Sequence, residues 1–245
     1  MQYDPSKKYL QLLQKTSVFD IKQRVLLLSV PRSGSTYLCD IMNHHGSLGH
    51  ADEWLNPSHL SFLPPDICDF SKFEDFLRLI ISKSATENGV FSLNLHISQY
   101  EEWLKEHGID WLQVLEFDKV YFVGRRDKYA QAYSYTIAGK TNAWQQYDDS
   151  KHQVPDDVDF YSILEHVQMI LKMEYFYEQK LKQHVHREFF YEDFSLDMSK
   201  TLQCICEDLA VPFQGVPQSE LKVQRKSYDQ TALDEFRAFM KQRLP

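Results

Sequence analysis

The sequence predicts an α/β fold in which a central parallel sheet carries helices on both faces. Three observations predict it. Residues 25–30 and 119–124 are short apolar runs, the mark of strands buried on both faces. Segments with apolar residues at helical spacing alternate with them along the chain. The 245 residues, 43% of them hydrophobic, suffice for a sizeable core and read as one domain over residues 1–245.

Taken in order, residues 8–15 read as a short helix with Leu10, Leu12 and Leu13 apolar. Residues 25–30 form the first strand and 36–45 the helix after it, and Gly46 and Gly49 mark a turn. Residues 50–69 are poorly periodic, hold Pro57, Pro64 and Pro65, and read as a long functional loop. Ser71 caps a helix whose apolar face is Phe73, Phe76, Leu77, Ile80 and Ile81. Residues 90–95 alternate and are rich in β-formers, so they make the second strand. Residues 99–107 form a short helix; 112–115 is ambiguous. The strand at 119–124 leads into a helix over 127–139. Residues 141–155 are polar, hold Trp144, Tyr147, Asp148 and Asp149, and read as a mobile loop. The longest helix covers 159–183, with Ile163, Val167, Ile170, Leu171 and Tyr175 as its core stripe. A last strand at 187–191 precedes an amphipathic helix over 195–209. Residues 214–228 are irregular and contain Lys222, Arg225 and Lys226, and 231–243 closes as a helix.

The most informative stretch joins the first strand to its helix: Pro31-Arg32-Ser33-Gly34-Ser35-Thr36. Pro31 ends the strand, Gly34 allows a conformation other residues resist, and Leu38, Ile41 and Met42 resume at helical spacing. Such a turn aims backbone N–H groups and the positive end of a helix dipole at one point. Arg32 adds a charge, and Ser33, Ser35 and Thr36 add hydroxyls, so phosphate or a similar oxyanion is the expected guest. The arrangement is P-loop-like and three-layered, but it is not a full Walker A loop. Laid on residues 29–36, that motif puts Ser29 at its first glycine and Ser35 at its lysine. A phosphotransferase acting on a nucleoside or sugar is therefore the alternative, and the missing lysine counts against it. A plain strand-to-helix turn is the reading without function.

This loop resembles the 5′-phosphosulfate loop of sulfotransferases that use 3′-phosphoadenosine-5′-phosphosulfate (PAPS). The longer pattern adds Gly46-Ser47-Leu48-Gly49-His50 and Asp52-Glu53-Trp54. It is most similar to the bacterial trehalose 2-sulfotransferase family. Val123-Gly124-Arg125-Arg126-Asp127-Lys128, with Gln131-Ala132-Tyr133-Ser134, resembles that family's second block. The resemblance implies that Arg32, Ser33, Gly34, Ser35 and Thr36 hold the 5′-phosphosulfate and that Arg125 and Ser134 hold the 3′-phosphate. It implies Arg225 in a final basic loop over the nucleotide and Glu53 as general base, with Arg32 also stabilising the leaving phosphate. Many members carry a basic residue near position 94, where this chain has Asn94. The family's acceptors lead one to expect a carbohydrate or glycolipid head group.

The residues carry parts of this reading by themselves. Arg125 stands at the end of a strand, where open parallel sheets bind ligands, on the same edge as the Arg32 loop. Its guanidinium could grip a phosphate bidentately, or pair with Asp127 or Glu116; Arg126 is a second candidate. Beside Glu53, Trp54 and Leu55 are apolar bodies expected to desolvate the carboxylate and raise its pKa, unless Glu53 merely starts a helix. His50 and His96 are further candidates for moving a proton. Trp54, Trp144 and Tyr147 suit stacking on sugar rings, and Asp148 and Asp149 suit hydroxyls.

Composition narrows the rest. A net charge of −8 argues against general nucleic-acid affinity. Cys39, Cys68, Cys204 and Cys206 are sparse and irregularly spaced, so reduced thiols are expected and neither zinc nor another metal is. With no long apolar run and no leader-like N-terminus, a cytoplasmic protein without a membrane span is expected. The expected partner is a small hydroxylated acceptor. A homodimer is left open, as is a nucleotide-binding sensor that has lost catalysis.

Overall fold

A computed structural model describes residues 5–61, 72–141, 144, 158–219, 221 and 227–242. The elements run α1 (Pro5–Leu13), β1 (Gln23–Ser29), α2 (Ser35–His45), α3 (Pro57–Leu60), α4 (Phe73–Ser84), β2 (Val90–His96), α5 (Ile97–His107) and α6 (Trp111–Leu115). They continue with β3 (Lys119–Gly124), α7 (Lys128–Thr141), α8 (Phe160–Phe176), β4 (Arg187–Phe190), α9 (Tyr191–Phe194), α10 (Met198–Asp208) and α11 (Ser227–Lys241). The strands form one parallel sheet in the order β2-β1-β3-β4.

Period-two alternation divides the core between two faces. Leu26, Leu28, Phe91, Leu93, Val120 and Phe122 point to one side, where they meet Trp103, Trp111, Ile163, Ile170 and Phe236. Val25, Leu27, Tyr121 and Val123 point to the other, against Leu38, Met42, Leu202 and Ile205. Helices α1, α4 to α8 and α11 thus cover one face, and α2, α9 and α10 the other, so the expected three layers are present.

The departures from the sequence reading have local causes. The ambiguous stretch at 112–115 is helical because the Asp110 side chain accepts from the Leu112 amide and opens α6. The long loop contains α3, started by Asn56 accepting from the Ser58 amide with Pro57 behind it. Helix α8 buries Ile163, Val167, Ile170 and Met173. Leu171 and Tyr175, expected in that stripe, are 48% and 68% exposed, because Leu171 lies about 100° round the helix from Ile170 and Tyr175 about 200° from Met173. The helix continues as a π turn at Tyr177–Leu181 and a 3₁₀ turn at Lys182–His184. Ser71 and Cys68 lie outside the described residues. Among the described residues no helix is long and apolar enough to cross a membrane, and no three His, Cys, Asp or Glu side chains group as metal ligands.

Candidate active site

The site lies where β1, β2 and β3 end. The Arg32 loop leaves β1, Arg125 follows β3, and His96 closes β2. Two backbone outliers shape the loop. Arg32 has φ 64° and Gly34 φ 83°, both left-handed. For Arg32 this is a costly conformation that the surrounding contacts must hold. Gly34 has no alternative on steric grounds as well. A Cβ there would stand 2.6 Å from Tyr191 Cδ2 and 3.0 Å from Phe194 Cζ. The loop is pinned from below by Gln131 of α7, whose Nε2 donates to the Pro31 carbonyl at 2.8 Å.

The turn delivers what an anion needs. Gly34 caps α2 without a side chain, so none competes for the first amides of the helix. Ser33 is fully buried, and among the described residues its Oγ meets no hydrogen-bond partner. Such a group is costly to bury alone and suits a bound acceptor atom. Arg32 Nε donates to Ser134 Oγ at 3.0 Å, and its NH1 donates to the Trp144 carbonyl at 2.7 Å. Arg125 NH1 reaches the Arg32 carbonyl at 3.5 Å, and its guanidinium stacks on Tyr191, 4.6 Å from the ring centroid. Burial, then the neighbouring Arg125, bring the Arg32 pKa down to about 10. The two guanidiniums repel each other, which an anion between them would relieve.

Arg32, Ser33, Gly34, Ser35, Thr36, Arg125 and Ser134 thus share one sheet edge. Arg126 does not join them. It is exposed, makes a bidentate bond to Asp193 at 2.6 Å and lies over Phe190. Asp127 is engaged by Arg237 and caps the Ala130 amide. Arg225, Lys222 and Lys226 lie outside the described residues, as do Tyr147, Asp148 and Asp149.

Glu53 is brought to the same edge by Gly49. With φ 80°, Gly49 lies so close to β2 that a Cβ would meet the Ser92 amide at 2.5 Å. The chain then follows β2, with the Asn94 amide donating to the Asp52 carbonyl at 2.9 Å. Glu53 Oε2 accepts from Gln99 Nε2 at 2.7 Å and from Asn56 Nδ2 at 2.8 Å. Oε1 stands 3.4 Å from His96 Nε2. Burial acts to raise the Glu53 pKa, but the charge and hydrogen bond of His96, with Gln99 and His59, outweigh it and hold the carboxyl well below its usual range.

That reverses the expected direction. Burial raises the Glu53 pKa as expected, but its hydrogen-bonding and charged partners outweigh it, and Trp54 and Leu55 are core residues. Trp54 packs edge-on against Tyr9 and donates its indole N–H to the His50 carbonyl, so it is not a sugar platform. His50 faces Lys15 and the end of α4, where its amide donates to the Ser84 carbonyl. Glu53 does not cap α3; Asn56 does.

Four residues of the site escaped the sequence reading: Ser29, Gln99, Gln131 and Tyr191. Ser29 is paired in register with His96 across β1 and β2, and its Oγ is 2.7 Å from His96 Nδ1 and 2.8 Å from Asn94 Oδ1. The Gln99 signal was readable, since a glutamine three residues after a helix start is half of a capping box.

Several solved structures are similar to this chain. A sulfotransferase from Alicyclobacillus acidocaldarius shares 11% identity over 89% of this chain and 92% of its own, with a TM-score of 0.49. The sulfotransferase domain of the Synechococcus PCC 7002 olefin synthase shares 18% over 92% and 98%, with a TM-score of 0.43. Sulfotransferase STF9 from Mycobacterium avium shares 11% over 95% and 71%, also at 0.43. No curated protein matches the chain. The family model for Stf0 sulphotransferases matches residues 25–242, a span that opens on β1 and takes in the Arg32 loop, Glu53 and Arg125, and the chain belongs to that family.

Proposed function

We propose that this sulfotransferase moves the sulfuryl group of PAPS to a hydroxyl of a small acceptor, a carbohydrate or glycolipid head group, with Glu53 taking the hydroxyl proton. One observation carries the donor assignment: the buried, unmatched Ser33 Oγ lies in a left-handed turn with Arg32, beside Arg125 and Ser134. PAPS has a 5′-phosphosulfate and a 3′-phosphate, so it needs two anion sites on one sheet edge. The Arg32 loop suits the first. Arg125, with Ser134, suits the second. When bound, PAPS supplies the activated sulfuryl group; the protein supplies alignment, charge at the leaving phosphate and a base.

The acceptor side rests on an exposed aromatic. Trp144 is 39% exposed, stands edge-on to Tyr135 at 5.2 Å and gives its carbonyl to Arg32. Tyr135 in turn packs on His166 at 4.6 Å. An indole so placed beside the transferred group favours a sugar ring.

Thermal denaturation tests the donor. The 3′,5′-bisphosphate product of PAPS should raise the melting temperature, by about 2.7 kcal/mol of added stability at a hundred times its Kd. ATP with magnesium should not; stabilisation by ATP–Mg alone would reinstate a phosphotransferase. Arg32 is tested by Arg32→Gly, which removes the guanidinium but tolerates the left-handed backbone. Transfer should fall by about 10² to 10³ while bisphosphate affinity changes less, since charge on the leaving oxygen grows toward the transition state. Unchanged single-turnover transfer at saturating PAPS would remove Arg32 from the chemistry.

A further inference from the structure

Two helix starts set the direction of the hydrogen bonds to Glu53. Gln99 Oε1 accepts from the His96 amide at 2.9 Å, closing the capping box of α5. A backbone N–H can only donate, so the amide oxygen of Gln99 faces it and Nε2 faces the other way. There Nε2 donates to Glu53 Oε2 at 2.7 Å. Asn56 repeats the arrangement. Its Oδ1 accepts from the Ser58 amide at 3.0 Å at the start of α3, and its Nδ2 donates to the same Glu53 Oε2 at 2.8 Å. Neither amide can turn over without breaking a cap. Oε2 therefore meets two fixed donors, which take both of its lone pairs. Among the described residues Oε1 meets only His96 Nε2, at 3.4 Å. Gln99 is buried, so bulk water does not replace its donor if that is lost.

We propose that Gln99 and Asn56 are positioning residues for the transfer: their cap-locked amides clamp Glu53 Oε2 and so hold out Oε1 as the one atom of the base that takes the proton. This rests on the sulfotransferase reading above. As the acceptor oxygen bonds to sulfur, the bond from sulfur to the 5′-phosphate oxygen breaks and its electron pair stays on that phosphate. The acceptor's proton passes to Glu53 Oε1. A carboxylate free to rotate offers either oxygen in many directions; the clamp leaves one oxygen in one orientation, the alignment that proton transfer requires. Donors to the charged form also lower its affinity for a proton. An oxygen already bonding to sulfur holds its proton weakly, so a well-aimed carboxylate of low basicity serves. The titratable groups facing Glu53 come from its own strand of chain and three elements. Asp52, next to it, accepts the Glu53 amide at 2.7 Å. His96 closes β2, and His59 of α3 stands with Nε2 3.3 Å from Asn56 Nδ2. Tyr9 of α1 donates to the Glu53 carbonyl at 3.2 Å. Helix α5 presents the uncharged Gln99.

Gln99→Glu and Asn56→Asp test the clamp, because each keeps the size and the capping oxygen but turns the donor into an acid. Protonated, the new carboxyl donates to Oε2 as the amide does; ionised, it repels it, and two carboxyls so close share a proton. The rate is read as sulfate release from labelled PAPS with water as acceptor, from pH 5 to 9. Each variant should be close to wild type at pH 5 and fall behind it by about tenfold or more at pH 9. A ratio to wild type that is the same at every pH, or that rises with pH, overturns the proposal, since lost packing has no such dependence. If Gln99→Glu does not fold, Asn56→Asp decides by the same criterion. Gln99→Met fills the space without a donor and should be slow throughout, with bisphosphate affinity unchanged; release as fast as wild type overturns the proposal. So does wild-type release no faster than that of Glu53→Gln. Carbon-13 NMR of the full chain labelled at glutamate carboxyls needs neither donor nor acceptor, with Glu53→Gln to assign the signal. In Gln99→Met the Glu53 carboxyl should titrate higher than in wild type, and an unchanged titration overturns the clamp. A bisphosphate that fails to bind wild type would refute the PAPS reading instead, and the NMR result then decides the clamp alone.

Discussion

Glu53→Gln should lower single-turnover transfer from PAPS by about 10² to 10⁴, the span of a lost general base. Binding of the 3′,5′-bisphosphate should stay within a few-fold of wild type, because among the described residues Glu53 Oε2 bonds to Gln99 and Asn56 rather than to the Arg32 loop. The measurement uses the first hydroxylated acceptor that takes label from PAPS. A mutant within a few-fold of wild type would remove Glu53 from the mechanism. The same substitution has a stability signature. A carboxyl whose folded pKa is depressed stabilises the fold above its unfolded value, roughly 4.3, and loses that contribution as pH falls through the lower folded value. The stability gap between wild type and Glu53→Gln should therefore be constant near neutrality and shrink only in strong acid. Within pH 5 to 9 the carboxyl stays ionised, so Glu53 itself should add no acid limb to the rate over that range.

Arg125→Ala should weaken the 3′,5′-bisphosphate by about 2 to 5 kcal/mol, as expected for truncating one partner of a desolvated charge pair. The guanidinium is pre-set for that role. It is stacked on Tyr191 and held at the Arg32 carbonyl, so little freedom is lost on binding. Calorimetry with the bisphosphate and with the analogue lacking the 3′-phosphate separates the two anion sites. Wild type should prefer the bisphosphate strongly and the mutant hardly at all. Equal losses for both ligands would move Arg125 to the 5′ side or to a structural role.

What the sequence disclosed follows from how local each determinant is. Residues 25–30 betray a strand because both faces are apolar, and Gly34 betrays a tight turn. The shared edge of Arg32 and Arg125 follows from parallel strands alone. The packing of the site was not legible, because it joins distant residues: Arg32 to Ser134, Gln131 to Pro31, Gln99 to Glu53, Arg125 to Tyr191. Periodicity carries no information about such pairs. Trp54 shows the converse. Its aromatic character fitted a sugar platform, but only three-dimensional placement reveals that Tyr9 and the core claim it. The direction of the Glu53 shift failed for the same reason, since His96 and Gln99, which lead the lowering, stand far along the chain at the end of β2 and in α5.

The four-residue helix α9 has a consequence in time. Its Tyr191 and Phe194 wall the Arg32 loop at Gly34, and Tyr191 supports Arg125. Its Glu192 accepts from the Arg126 and Asp127 amides, each at 3.0 Å, where α7 begins. These supports exist only once β4 has paired with β3. During synthesis at about 5–20 residues per second, β1, β2 and β3 emerge many seconds before residues 191–194 do. A nascent chain can thus assemble most of its sheet while the Arg32 loop still lacks a wall. On the proposed donor site, competence would arrive late, with the last strand, and a ribosome-bound fragment ending before residue 187 should hold the loop sequence without binding the 3′,5′-bisphosphate.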